Sequence, residues 1–199
     1  MNYGEEIAYW FLRFNGCFPI STFVIHRSSR IARTSDCDLL AVRTPHVYEE
    51  IGGRPEDWDA ELAQLLDFDG RTIGMICEVK TGRYALDEIF RSGYVDYSLG
   101  RLGLIPREQI QAVGADLSMN AVVDVSDKYR ICKLLIANEE KRNGSFLFWT
   151  LTRAEAFIRE RIAKYPKEKY ADRMFFGSEL LQYTIQKHRW QENMTDEEE

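Results

Sequence analysis

The feature that most constrains this chain is the run RTIGMICEVKTG, residues 71–82. It is nearly all apolar until its end, and a run of that kind reads as a buried β-strand. Side chains alternate across a strand, so Glu78 and Lys80 share one face while Cys77 and Val79 share the other. Burying charge is costly unless the charge meets a partner or a metal. The end of this strand is therefore either a paired structural couple or half of an active site whose other half comes from elsewhere.

The rest of the chain supplies a frame for that strand. Residues 3–16 carry Ile7, Ala8, Phe11, Leu12 and Phe14 at helical spacing, with Gly16 as a stop. Residues 19–27 and 35–43 read as strands, and an excursion over 44–71 contains a short helix from about 56 to 67. After the 71–82 strand comes a helix over roughly 85–103, with Leu86, Ile89, Phe90, Tyr94 and Tyr97 as its inner stripe, then a shorter helix over 106–117. Strands follow at 120–125, 129–138 and 145–151, the last two joined through Asn143-Gly144, a hairpin signal. Thr152 and Glu155 predict a capping box for a helix that Pro166 ends, and 178–188 reads as a last helix. This order predicts an α/β fold with one mixed central sheet and helices on both sides. In 199 residues there is no repeat or linker, so a single domain over 1–199 is expected. Its parts are a core of about 3–150, the 44–71 insertion, a helical extension of about 152–190 and an acidic tail at 195–199.

Composition narrows the function classes. The net charge is −6, and four of the acids stand in the C-terminal Asp-Glu-Glu-Glu. The near-neutral remainder is not the footprint of a protein that coats nucleic acid non-specifically, although it permits an enzyme with one local basic groove. Cys17, Cys37, Cys77 and Cys132 form no C-x-x-C pair, which argues against zinc, and their apolar neighbours predict buried free thiols. Free thiols, an N-terminus without a signal-peptide pattern and no apolar run of membrane-spanning length predict a cytoplasmic protein without a membrane partner.

The other half of the constellation lies in SDCDLLAVR (35–43), where Asp36 and Asp38 share one face and Cys37 and Leu39 the other. If this strand and 71–82 are antiparallel neighbours, Asp38 comes opposite Glu78 and Lys80. Two carboxylates that close repel unless a cation neutralises them. Mg²⁺ takes oxygen ligands and often uses only one or two protein carboxylates. Lys80 beside such an ion would contact a phosphate or the attacking water, with burial and a neighbouring cation lowering its proton affinity. Each piece alone has a plainer explanation: Glu-x-Lys as a surface charge pair, Asp36 and Asp38 as a turn entry or strand-edge feature. Their combination points to a site.

GEEIA (4–8), SDCDLLA (35–41) and CEVKTG (77–82), in that order, resemble the restriction-endonuclease-like PD-(D/E)xK nucleases, closest to the Holliday junction resolvase-like branch. In that branch Gly-Glu-x-x-Ala opens the first helix, a Gly-Glu-Ile-Asp-Leu-Ile-Ala-like strand follows, and then Glu-Val-Lys-Thr-Arg. The match spans roughly residues 4–105. The resemblance implies an αβββαβ core and an endonuclease dependent on Mg²⁺ or Mn²⁺. Its expected substrate is DNA, in repair, recombination, restriction or defence. Matched by position, Asp38 and Glu78 would be metal ligands, with the Val79 carbonyl beside them. Lys80 would be the catalytic lysine, Glu5 the first-helix glutamate that helps hold the metal, and Asp36 auxiliary. The chain departs from the pattern in its long Asp38-to-Glu78 spacing, caused by the 44–71 insertion. It also has Gly82 where relatives have arginine, with Arg83 next. Residues beyond about 105 match nothing in that pattern.

The loop HRSSRIARTS (26–35) offers His26, Arg27, Arg30 and Arg33 as phosphate-gripping groups, and Arg83 and Arg91 form a second set. A solvated basic loop accounts for the first set equally well. Trp58, Trp149 and Trp190 are candidates for base stacking, although Trp149, in an apolar strand, is better explained as core. The acidic insertion is expected away from the groove, as a cover or a dimer contact. Resolvase-like enzymes commonly act as dimers, so a homodimer is left open. The alternative to catalysis is an inactive nuclease-fold module that binds nucleic acid or a protein partner. The presence of Asp38, Glu78, Lys80 and Glu5 together argues against it.

Overall fold

Asn2 starts the first helix, α1 (Tyr3–Phe14), by accepting the Gly4 and Glu5 N–H groups on its side chain, while Glu5 reaches back to the Asn2 N–H at 3.0 Å. The stripe Ile7, Ala8, Phe11 and Leu12 is buried, as its spacing predicts. The structure, a computed structural model, describes residues 1–25, 35–141, 143–172 and 177–196, without the side chains of 22–25, 35–36, 92, 170, 172, 188, 190 and 192–196. The further elements are β1 (Phe18–Ile25), β2 (Ser35–Arg43), α2 (Ala60–Leu66), β3 (Thr72–Lys80), α3 (Ser92–Leu102), α4 (Ile110–Met119), β4 (Val122–Asp124), β5 (Tyr129–Ala137), β6 (Leu147–Thr150), α5 (Leu151–Lys164), α6 (Pro166–Asp172) and α7 (Glu179–Asp196).

The class is α/β, with one mixed, open sheet in the order β1-β2-β3-β5-β4 and β6 paired to β5. β1, β2 and β3 form an antiparallel meander, β3 and β5 run parallel, and β4 is antiparallel to β5. β3 is buried from Ile73 through Val79 because both its faces are covered. On one face α1 and α5 pack over Leu39, Met75, Cys77 and Leu134; on the other α3 and α4 pack over Leu40, Ile76 and Leu135. All four cysteines are free and buried. No helix among the described residues is long and apolar enough to cross a membrane.

Several local expectations are revised. The helix expected from 85 begins only at Ser92: residues 86–88 make one 3-10 turn, and Phe90 sits at φ 53, which no right-handed helix accepts. Ile89 and Phe90 are buried from this loop, whereas Tyr97 is exposed. β6 does not form a hairpin with β5 but lies parallel to it, Leu134 beside Leu147. Asn143 turns its side chain onto the Ser145 N–H and hydroxyl, and the chain before it is pinned across Tyr84. There Lys141 donates to the Tyr84 carbonyl and the Tyr84 hydroxyl to the Glu139 carbonyl. Thr150, not Thr152, caps α5, accepting the Arg153 N–H at 3.0 Å, so the Thr152–Glu155 box does not form. The last helix runs on to Asp196. Cys37 and Leu39 do not share a face. Cys37 lies in the α3-side core and takes the Tyr94 hydroxyl at 3.1 Å, whereas Leu39 lies in the α1-side core, so the alternation of β2 slips at Asp38.

The 44–71 insertion joins the α1 and α5 face through Trp58, Leu62, Leu66 and Phe68. Charged groups anchor it. Fully buried Arg43 donates to the carbonyls of Asn15 at 2.9 Å and Phe68 at 2.6 Å, with its guanidinium over the Phe68 ring. Asp57 accepts from Lys164 at 2.6 Å and from the Tyr165 hydroxyl at 3.0 Å, while Arg161 donates to the carbonyls of Gly52 and Asp57. Burial works against the Asp57 carboxylate, but Lys164, the Arg54 N–H, Tyr165 and Arg161 together hold it below the usual range. Asp57→Ala leaves buried Arg161 without its counter-charge and should cost about 3 kcal/mol in urea denaturation at pH 7. The difference should shrink in acid, where the stabilisation from a depressed carboxyl is lost. Arg159→Ala breaks an exposed pair with Glu155 and should change stability by less than about 0.5 kcal/mol.

Candidate active site

β2 and β3 part at the end that carries the acids. Their register runs from Arg43 beside Ile73 to Leu39 beside Cys77, and the ladder ends there, one residue short of Asp38 and Glu78. Here Asp38 Oδ2 accepts the Val79 N–H at 2.8 Å, so a side chain continues the bonding where the backbone ladder stops. Lys80 Nζ lies 2.7 Å from Glu78 Oε2 and 3.6 Å from Asp38 Oδ2. The three groups thus meet on the α3 side of the sheet, as the strand alternation predicts for Glu78 and Lys80. Lys80 is 32% exposed, Asp38 19% and Glu78 11%, so the acids are set inward and the amine forms the outer wall.

The electrostatics of the trio follow from that layout. Burial pushes the Glu78 carboxyl above its usual range, with Lys80 and the Phe90 N–H pulling the other way. Burial alone would lower the Lys80 amine, but Glu78 and Asp38 outweigh it and hold the ammonium above the usual amine range. The lowered proton affinity expected at Lys80 belongs to a site that holds a cation; with the two carboxylates alone, Lys80 is a charged donor and their counter-ion.

The structure does not bring every expected residue to this point. Both Glu5 carboxylate oxygens are taken by Asn2, through its N–H and its side-chain amide. Its neighbour Gly4 marks how closely α1 approaches the exit of β3: a Cβ there would sit 2.4 Å from the Thr81 methyl. Among the described residues, no three His, Cys, Asp or Glu side chains gather into a metal-ligating group. Val79 turns its side chain into the α1-side core and serves the site through its N–H. His26, Arg27, Arg30 and Arg33 lie outside the described residues, as do the side chains of Asp36 and Trp190. Arg83 is exposed, and exposed Arg91 pairs with Glu88 at 3.7 Å. Trp58 and Trp149 are core residues, Trp149 donating to Asp59, so neither is free to stack on a base.

Asp38 and Glu78 are hard oxygen donors already converged on one cationic group. A donor set of this kind fits Mg²⁺ or Mn²⁺, which bind through one or two carboxylates and keep several waters. Two groups beside the trio escaped the sequence reading. The first is Phe90, buried with a left-handed backbone, which works against the burial of the Glu78 carboxylate. The second is Lys133 of β5, beside Ile76, only 2% exposed and with its amine 5.5 Å from the centre of the Phe90 ring. A lysine inside the apolar run YRICKLLIA was the available signal. Burial lowers the Lys133 amine to about 8.

Comparison of the chain with protein-family models, with curated proteins and with solved structures found no match.

Two stability measurements test this geometry. Asp38→Asn keeps an acceptor for the Val79 N–H and Asp38→Ala does not, so the alanine variant should be the less stable by about 1–2 kcal/mol in urea. For Lys133 the unfolded chain binds the proton more tightly than the folded one, so its penalty is full below about pH 8 and relieved as pH rises towards the unfolded value of 10.5. Lys133→Met should therefore be more stable than the wild type at pH 7, and the gap should narrow between pH 8 and pH 10.5.

Proposed function

We propose that the protein is a metal-dependent endonuclease of the restriction-endonuclease-like type, hydrolysing phosphodiester bonds of DNA. The observation that carries this reading is the meeting of Asp38, Glu78 and Lys80 where β2 and β3 part, two inward carboxylates behind one outward ammonium. The order α1, β1 to β3, α3 and β5 supports the fold part of the proposal, since it follows the αβββαβ pattern.

Bound by Asp38 and Glu78, Mg²⁺ or Mn²⁺ supplies Lewis-acid charge for the phosphate and the attacking water. The chain's own groups do the rest. The Val79 N–H orients Asp38, and Glu78 is set inward by its burial. Lys80 donates to a phosphate oxygen and offsets the charge that grows there in the transition state. Water adds to phosphorus, giving up a proton to solvent, and the bond to the 3′-oxygen breaks. The products are a 5′-phosphate and a 3′-hydroxyl, whose proton comes from solvent.

One observation favours the runner-up, a nuclease fold kept for binding: Glu5 is held by Asn2 instead of standing with the other acids. A cleavage assay separates the two. The protein is incubated with supercoiled plasmid, linear duplex, single strands, a four-way junction and RNA, each with Mg²⁺, Mn²⁺ or EDTA. We expect metal-dependent cutting of DNA that falls at least about 100-fold in Lys80→Ala. No cutting of any substrate by a folded protein, with no Mn²⁺ bound, would leave the binding module. Preferred cutting of RNA would keep the chemistry and change the substrate.

A further inference from the structure

Resting on that reading, the geometry points to a second role for Lys80: it is the resident counter-ion of the metal site, and a divalent cation enters only by displacing it. Lys80 Nζ already bridges Glu78 Oε2 and Asp38 Oδ2 at 2.7 and 3.6 Å. A divalent ion coordinated by the same two carboxylates would face the ammonium at close range, and two cations there repel. The acids cannot yield. Asp38 is tied to the Val79 N–H, and Glu78 is the most buried of the three. Lys80 can yield, because it is the most exposed of the trio and its amine rides on a flexible four-carbon stem.

The exchange has a direction. Displaced from the carboxylates, the ammonium turns to the solvent side of the site, where a phosphodiester would arrive. Metal entry and the release of a phosphate-binding amine are then one event. The metal-free protein keeps its acids neutralised and its lysine withheld from nucleic acid.

The test is a Mn²⁺ titration of metal-stripped protein, read by the paramagnetic resonance of free Mn²⁺, on wild type, Lys80→Met and Asp38→Asn, with circular dichroism melts to show that each is folded. Lys80→Met should bind Mn²⁺ about tenfold tighter than wild type, the scale of one inset ion pair given up, although it cleaves nothing. Asp38→Asn should lose binding. In the wild type, Mn²⁺ should also speed acetylation of Lys80 several-fold by an amine-reactive acetyl ester, read by peptide mass mapping; this arm needs no variant and stands if Lys80→Met fails to fold. Equal or weaker Mn²⁺ binding in folded Lys80→Met, or labelling indifferent to Mn²⁺, overturns the displacement and leaves the nuclease reading in place. Absence of Mn²⁺ binding from both wild type and Lys80→Met overturns both.

Discussion

Strand β3 is buried on both faces from Ile73 to Val79, and the arrangement of the whole molecule answers that constraint. A strand covered on both sides must lie inside a sheet, so β2 and β5 flank it. Its two apolar faces must each meet a layer of helices, α1 and α5 on one side and α3 and α4 on the other. Charge is least costly on such a strand at its end, where the neighbouring strand departs and solvent begins. Glu78 and Lys80 occupy that end, and Asp38 of the departing strand completes their partnership.

The same local features that end the ladder shape the site. Where β2 leaves β3, the Val79 N–H would lose its acceptor, and the Asp38 carboxylate takes it. The slip of β2 at this point turns Cys37 towards Tyr94. On the far side of Glu78, Phe90 holds a left-handed backbone that a bulky residue adopts at a cost of about 1–3 kcal/mol. Ring contacts with Tyr94 and Phe146 keep it there, with its ring over Lys133. The site is thus held by the Val79 N–H and by ring packing from elements that the sheet itself positions.

The two faces divide the labour. The insertion between β2 and β3 is tied by Arg43, Asp57 and Arg161 to the α1 and α5 side, opposite the face on which the acids meet. Its length changes the sequence distance between Asp38 and Glu78 without changing their spatial one, because it leaves the end of β2 and returns to the start of β3 at the far edge of the meander. The buried charges of this face bond to carbonyls and counter-charges within it, with Arg43 Nη2 and Arg161 Nε left without a hydrogen-bond partner among the described residues.

Much of this was legible in the chain. The apolar run 71–82, the helical stripe of α1 and the shared face of Glu78 and Lys80 follow from periodicity and alternation, which depend only on local backbone geometry, whereas Asp38 joins them only through the pairing of β2 with β3. What failed was whatever depends on a partner distant in sequence. The Asn143-Gly144 signal did not make a hairpin, because Tyr84 and Lys141 pull the preceding chain into a parallel return. The helix expected from 85 lost its first turns to Phe90, whose conformation is set by tertiary packing. Glu5 was placed by a motif and is held instead by the cap it shares with Asn2. The sequence by itself determined the α/β class, the buried central strand and the residues that meet at its end, because alternation and burial act within a few residues. Only the tertiary structure decided the ion pair of Lys80 with Asp38 and the presence of Lys133 beneath Phe90, because each depends on distances between groups that the sequence leaves far apart.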